Sequence, residues 1–366
     1  MKKILLSLFV LLVGITVISG CKAKTYEIAL VTDVGNIDDK SFNESAWNGV
    51  KQYAEDNDIT YAYYRPTADT TTARLEAIES AVEKGAKILV CPGYLFKEAI
   101  YEAQTLYPEV SFLLLDAEPT KTINTVDTVL VEDNVYCVLY KEEQVGFLAG
   151  YAAVYEGFRQ LGFLGGMAVP AVVRYGYGFV QGADAAAADL ALADGAVEIS
   201  YAYSGTFGPN DEIKTRMDGW YSAGTEVVFA CGGGIYLSVI EAAGTTGKII
   251  GVDRDQASES DQILTSAMKD ITNSVLLALE SFYDNEKAWD VDHAGVTDTL
   301  GAAEECVSLA TGDSWRLENF TITQYEAMFE DLIAGTIEID DSIDAEPVVS
   351  AKLVVTYEDD IEVPEE

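Results

Sequence analysis

Residues 28–50 read IALVTDVGNIDDKSFNESAWNGV. The first four are apolar without alternation, as in a strand buried on both faces. From Ser41 onward, Phe42, Ala46, Val50, Tyr53 and Ala54 recur at the spacing of one helix face. The loop between carries Asp33, Asp38, Asp39 and Gly35; Asp38 and Asp39 stand where short acidic side chains cap a helix that starts at Ser41. Strand, polar loop and helix in that order open a β-α-β unit.

The same grammar repeats along the chain. Short apolar runs at 28–31, 88–90, 112–115, 161–164, 199–203, 227–230 and 249–250 each end in Asp, Gly or a Gly-containing turn. Helical patterns alternate with them at 41–57, 72–84, 96–106, 143–155, 177–193, 210–222 and 235–243, and a further helix is expected over 265–283. The expected fold class is α/β, with two Rossmann-like lobes of parallel sheet and a ligand cleft between them. The expected division is lobe 1 at 21–140 with 256–295 returning to it, lobe 2 at 141–255 with 296–340 returning to it, and an acidic tail at 341–366 in which 353–356 adds a short strand. Open parallel sheets bind ligands at the carboxyl ends of their strands. Those ends carry Asp33, Gly93, Asp116, Gly165, Gly205, the triplet Gly232–Gly234 and Asp253. Asp carboxylates accept hydrogen bonds from ligand hydroxyls and amines, and glycine admits close backbone approach.

Residues 1–20 combine Lys2, Lys3 and an apolar stretch at 4–17 that is too short to span a bilayer, and end in Val17-Ile18-Ser19-Gly20 before Cys21. That is the pattern of a lipoprotein signal peptide with Cys21 as the lipidated residue, so the expected location is the extracytoplasmic face of a cell membrane. The formal charge of -38 disfavours nucleic acid as a partner. Cys91, Cys137, Cys231 and Cys306 are far apart and lack zinc-ligand spacing; their pairing stays open. His293, the single histidine, receives no role. Neither a metal nor a cofactor is expected: the Gly triplet lacks GxGxxG spacing and no P-loop occurs.

At 31–50 (VTDVGNIDDKSFNESAWNGV), 142–153 (EEQVGFLAGYAA), 161–182 (LGFLGGMAVPAVVRYGYGFVQG), 203–207 (YSGTF), 240–243 (IEAA), 251–256 (GVDRDQ) and 264–270 (LTSAMKD) the chain resembles the basic membrane protein family of ABC-importer substrate-binding lipoproteins, and within it the purine nucleoside receptor A group. The resemblance implies a type I periplasmic-binding-protein fold closing on a nucleoside, with Phe42 and Phe207 sandwiching the base. It further implies Asp33, Asn43 and Asp116 on the polar edge, Asp253 and Lys269 on ribose hydroxyls, and Gly233 giving backbone access. Position 36 is Asn where the family commonly has a second Gly, and ACGGGIYLSV replaces its usual Gly-rich stretch. The expected function is a non-enzymatic, monomeric receptor that hands nucleosides, purines foremost, to a permease. The alternatives are the same fold taking a sugar or autoinducer or serving as a sensor, and an extracellular nucleoside hydrolase, against which the lack of a positioned histidine speaks.

Overall fold

The computed structural model describes residues 24–33 and 35–361, so Cys21 and the leader lie outside the described residues. The first lobe is laid down as β1 (Ile28–Val31), α1 (Phe42–Asp56), β2 (Tyr61–Tyr64), α2 (Thr71–Glu83), β3 (Ile88–Pro92), α3 (Lys97–Leu106), β4 (Ser111–Leu115), a small antiparallel hairpin of β5 (Thr120–Ile123) and β6 (Val126–Val129), and β7 (Val135–Tyr140). The second follows as α4 (Glu142–Glu156), β8 (Gln160–Gly165), α5 (Pro170–Asp189), β9 (Val197–Tyr203), α6 (Asp211–Ala223), β10 (Val227–Cys231), α7 (Tyr236–Ala243), β11 (Lys248–Asp253) and β12 (Ile263–Lys269). The chain then gives α8 (Ile271–Asp284) and β13 (Val296–Leu300) to the first lobe, and β14 (Val307–Leu309), α9 (Ile322–Ile333) and β15 (Leu353–Tyr357) to the second.

The first sheet runs β2-β1-β3-β4-β7-β13 with every pair parallel. The second runs β15-β9-β8-β10-β11-β12-β14, antiparallel only at β14. Helices cover both faces, so the central strands are almost wholly apolar: all of β1, β3, β4 and β10 is buried. The seven apolar runs of the sequence are β1, β3, β4, β8, β9, β10 and β11.

Two expectations fail. Residues 265–269 are strand β12, and the helix begins only at Ile271, where Asp270 caps it by accepting from the Asn273 amide at 2.9 Å. The adjacent charges of Lys269 and Asp270 mark where the strand gives way to the helix. In consequence the return to the first lobe starts at α8, not at 256, and includes β13, which the sequence reading assigned to the second lobe. The four cysteines Cys91, Cys137, Cys231 and Cys306 are free and buried.

Among the described residues the lobes are joined at three crossings, after β7, after β12 and after β13. They are stitched side by side: the Lys141 amide donates to Leu300 O at 2.9 Å, Asp270 to Cys306 O at 2.8 Å, and Ala302 to Gln144 Oε1 at 2.8 Å. The first crossing leads into α4, which packs hard against α5. A Cβ on Gly150 would stand 2.0 Å from Phe179 O, and one on Gly182 would stand 1.9 Å from Phe147 O. Only glycine permits this backbone approach.

Candidate ligand-binding site

In each sheet the strand order reverses once. In the first the reversal falls between β1 and β3, in the second between β8 and β10. A crevice opens at the carboxyl ends of strands at such a reversal. The two crevices face each other across one cavity of about 510 Å³, within the range of small-molecule sites. All eight residues expected at the site line it: Asp33, Phe42, Asn43 and Asp116 from the first lobe, and Phe207, Gly233, Asp253 and Lys269 from the second.

The loop of residues 28–50 is organised by two carboxylates. Asp39 Oδ1 accepts from the amides of Ser41 (2.8 Å) and Glu44 (3.1 Å), and its Oδ2 from the Asn43 amide (3.1 Å), so Asp39 caps α1. Asn43 is buried, and its carboxamide is saturated from within. Its Nδ2 donates to Asp33 Oδ1 (2.8 Å) and Asp39 Oδ2 (2.9 Å), while its Oδ1 accepts from the Asp33 amide (3.3 Å). Asn43 therefore orients Asp33 in this arrangement rather than offering free donors of its own. Asp33 Oδ1 also takes the Gly35 amide at 2.6 Å. Burial raises the Asp33 carboxyl to about 6 against the pull of these donors.

In the same lobe Asp116 follows β4, and across the cleft Asp253 ends β11. Both hold left-handed backbone, φ 62° and 64°, which costs a non-glycine residue about 1–2 kcal/mol. Lys269 lies at the end of β12, 2% exposed, not on a solvated helix face. Its Nζ donates to Asp116 Oδ1 (3.0 Å) and Oδ2 (2.8 Å), and lies 2.8 Å from Glu142 Oε1 as an ion pair off the hydrogen-bond line. Arg174 Nε donates to Glu142 Oε2 at 2.6 Å. Burial lifts the Asp116 carboxyl to about 6, with Lys269 opposing and Glu142 assisting. Burial also opposes the charges of Lys269 and Glu142, but their partners outweigh it: the ammonium titrates above its usual range and the carboxyl below. Ser41 Oγ donates to Asp253 Oδ2, and Gln256 Nε2 to Lys40 O at 3.1 Å; with the Arg254–Glu44 ion pair these contacts bridge the lobes.

Phe42 begins α1, with Lys269 Nζ 5.3 Å from its ring centre. Phe207 follows β9 and is seated on glycine. A Cβ on Gly166 would meet its Cδ1 at 2.5 Å, and one on Gly233 its carbonyl oxygen at 2.6 Å. Gly233 also holds φ 51°. The triplet thus shapes the seat of an aromatic ring as well as the cavity wall.

Sequence reasoning missed Glu142, Arg174, Tyr175 and Ser41. Glu142 and Arg174 lie inside quoted motifs, but an acid in the first turn of α4 reads as an ordinary helix-dipole partner. His293 does not line the cavity. Asp290 Oδ1 (2.6 Å) and Ser281 Oγ (3.1 Å) both meet its Nδ1, so it does not link them in a relay.

Two facing parallel-sheet lobes, three crossings and a cavity across the strand ends define the type I periplasmic-binding fold. A solute-binding protein of an ABC transporter system from Aeropyrum pernix K1 superposes with TM-score 0.72 over 87% of this chain and 94% of that one at 21% identity, a likeness of fold. One from Conexibacter woesei DSM 14684 gives 0.63 over 87% and 99% at 18% identity. The chain belongs to the Bmp family, the PnrA-like ABC transporter substrate-binding proteins, whose model matches residues 26–342. Among its relatives, the ABC transporter nucleoside-binding protein BmpA of Lactococcus lactis subsp. cremoris is 26% identical over 307 residues, 74% of this chain and 82% of that protein. Basic membrane protein B of Borreliella burgdorferi is 28% identical over 275 residues, 73% of this chain and 76% of that protein.

Proposed function

We propose that this protein captures nucleosides, purines foremost, outside the cytoplasmic membrane and delivers them to the permease of an ABC importer, acting as a monomer held at the membrane through a lipid on Cys21. The observation that carries this reading is the composition of the cavity: one phenyl ring from each lobe, Phe42 and Phe207, among carboxylates that outnumber the cations. A purine has two apolar faces for the rings, and stacking of this kind contributes about 1–3 kcal/mol per base. Its edge and ribose bring N–H and O–H donors for Asp33, Asp116 and Asp253. A phosphate would enter as an unpaired anion among these acids, which favours nucleosides over nucleotides. Ligand contacts from both lobes stabilise the closed form, so binding and hinge closure are one equilibrium.

The test is calorimetric titration with inosine, guanosine, adenosine, cytidine, uridine, D-ribose and D-glucose, with free base assayed after each run. The expected result is dissociation constants of roughly micromolar or tighter for purine nucleosides, about -8 kcal/mol, and intact ligand. Sugar binding without nucleoside binding would overturn the ligand class, and base release with turnover would overturn the receptor reading.

A further inference from the structure

Tyr175 stands in the cavity wall yet is 2% exposed, and its hydroxyl oxygen, itself buried, has no hydrogen-bond partner among the described residues. Its position on α5 is fixed. The backbone is pinned by the close approach to α4, where a Cβ on Gly146 would stand 2.2 Å from Tyr175 O. The ring meets Phe229 edge-on, centroids 5.9 Å apart at 81°. Lys269 Nζ lies 5.5 Å from the ring centre. Burial, with the charges of Asp253, Glu142 and Asp116 adding to it, keeps the phenol protonated. A buried hydroxyl without a partner costs about 1–3 kcal/mol, and of the tyrosine hydroxyls in that state only that of Tyr175 belongs to a residue of the cavity wall, where a ligand hydroxyl that reached it would recover the cost.

We propose that the Tyr175 hydroxyl hydrogen-bonds a hydroxyl of the bound ligand at the Asp116–Asp253 end of the cavity and thereby selects hydroxylated ligands over their deoxy forms. The assignment rests on the receptor reading above and adds a specificity-determining residue to it.

The test is Tyr175→Phe, which removes one oxygen. Wild type and variant are titrated calorimetrically with inosine, guanosine and adenosine, and then with the 2′-, 3′- and 5′-deoxy forms of the tightest binder. The empty variant should melt at or above the wild-type temperature, because no bond is lost. Affinity for the full nucleoside should fall about 3- to 10-fold, and one deoxy form should bind both proteins equally. Wild-type affinity throughout, an equal loss for every analogue, or a lowered melting temperature of the empty variant would each overturn the assignment. If the wild type binds no nucleoside, the ligand class fails separately, and the same two proteins are titrated with D-ribose, D-arabinose and D-glucose. A loss confined to ligands carrying one particular hydroxyl would then retain the Tyr175 assignment; no binding, or no such difference, would sink it.

Discussion

Lys269 and Glu142 stand on different crossings between the lobes, and their charged atoms meet 2.8 Å apart with neither side chain more than 1% exposed. The same ammonium holds both oxygens of Asp116 at the edge of the cavity. One buried cation thus ties the hinge to the ligand site, and whatever a ligand does to Asp116 is felt at the crossings.

Removing that cation leaves Asp116 facing Glu142 with Arg174, on the Glu142 side, as the remaining partner of the pair. Lys269→Met should cost about 3–5 kcal/mol of unfolding free energy, the usual loss when one partner of a buried ion pair is deleted. Urea unfolding measures it, and Asp116→Asn in the same chain should recover part of the loss. A single substitution that unfolds at the wild-type midpoint would mean the cluster is not what holds the crossings.

Each phenyl ring should matter for binding and little for the empty fold. Phe42→Ala and Phe207→Ala are each expected to weaken purine nucleoside binding at least about tenfold, the lower part of the stacking range. Both rings are only partly buried, so the melting temperature of the empty protein should stay near wild type. Calorimetry and thermal melts separate the two effects; undiminished affinity in Phe42→Ala removes that ring from the site.

Burial lifts Asp33 and Asp116 from 3.8 to about 6. The folded state therefore holds these protons more tightly than the unfolded chain. The empty protein should gain stability as pH falls from about 6 toward 4 and lose it again as pH rises through about 6. Glu143, raised to about 7 by burial with Glu142 adding, shifts stability in the same sense. Nucleoside binding should run the other way, because donors on the ligand need ionised carboxylates: affinity should drop by up to about tenfold per pH unit below about 6 for each carboxylate that must ionise. Melts and titrations at a series of pH values check both slopes, and Asp33→Asn should flatten each. Parallel slopes would contradict the assignment of these acids to the ligand.

The seam between α4 and α5 should be intolerant of one methyl group. Gly150→Ala and Gly182→Ala place carbon about 2 Å from carbonyl oxygens of the facing helix. Overpacking of this kind costs typically about 1–3 kcal/mol. The loss should appear in thermal melts, while the fraction that folds retains its affinity. A melting temperature equal to wild type would show that the helices part more easily than their contact implies.

The sequence was legible where burial on both faces makes a strand uniformly apolar, as in β1, β3, β4 and β10. It was opaque at the margins. In β2, Tyr61–Tyr64 is an edge strand, half exposed, so its four residues carry no continuous apolar signal. After β12, strand and helix meet at Asp270 with no glycine or proline between them, and the capping role of Asp270 marks the boundary. The residues expected at the site lie together because strand ends face one cleft, a rule of topology that strand positions alone supply. Glu142 and Tyr175 escaped because their meaning depends on partners 127 and 94 residues away in the chain, Lys269 for both. No local pattern encodes such a pairing.

Neither lobe is a continuous piece of chain. The first lacks β13 and α8 until residue 300 is in hand, and the second waits for β15 to cover the edge of β9. A chain delivered amino end first therefore exposes unfinished sheet borders for most of its emergence. Such long-range pairing folds slowly, and half-delivered chains are open to aggregation and proteases. Nonsense truncation near the carboxyl end should consequently damage a half whose other strands have long since been made.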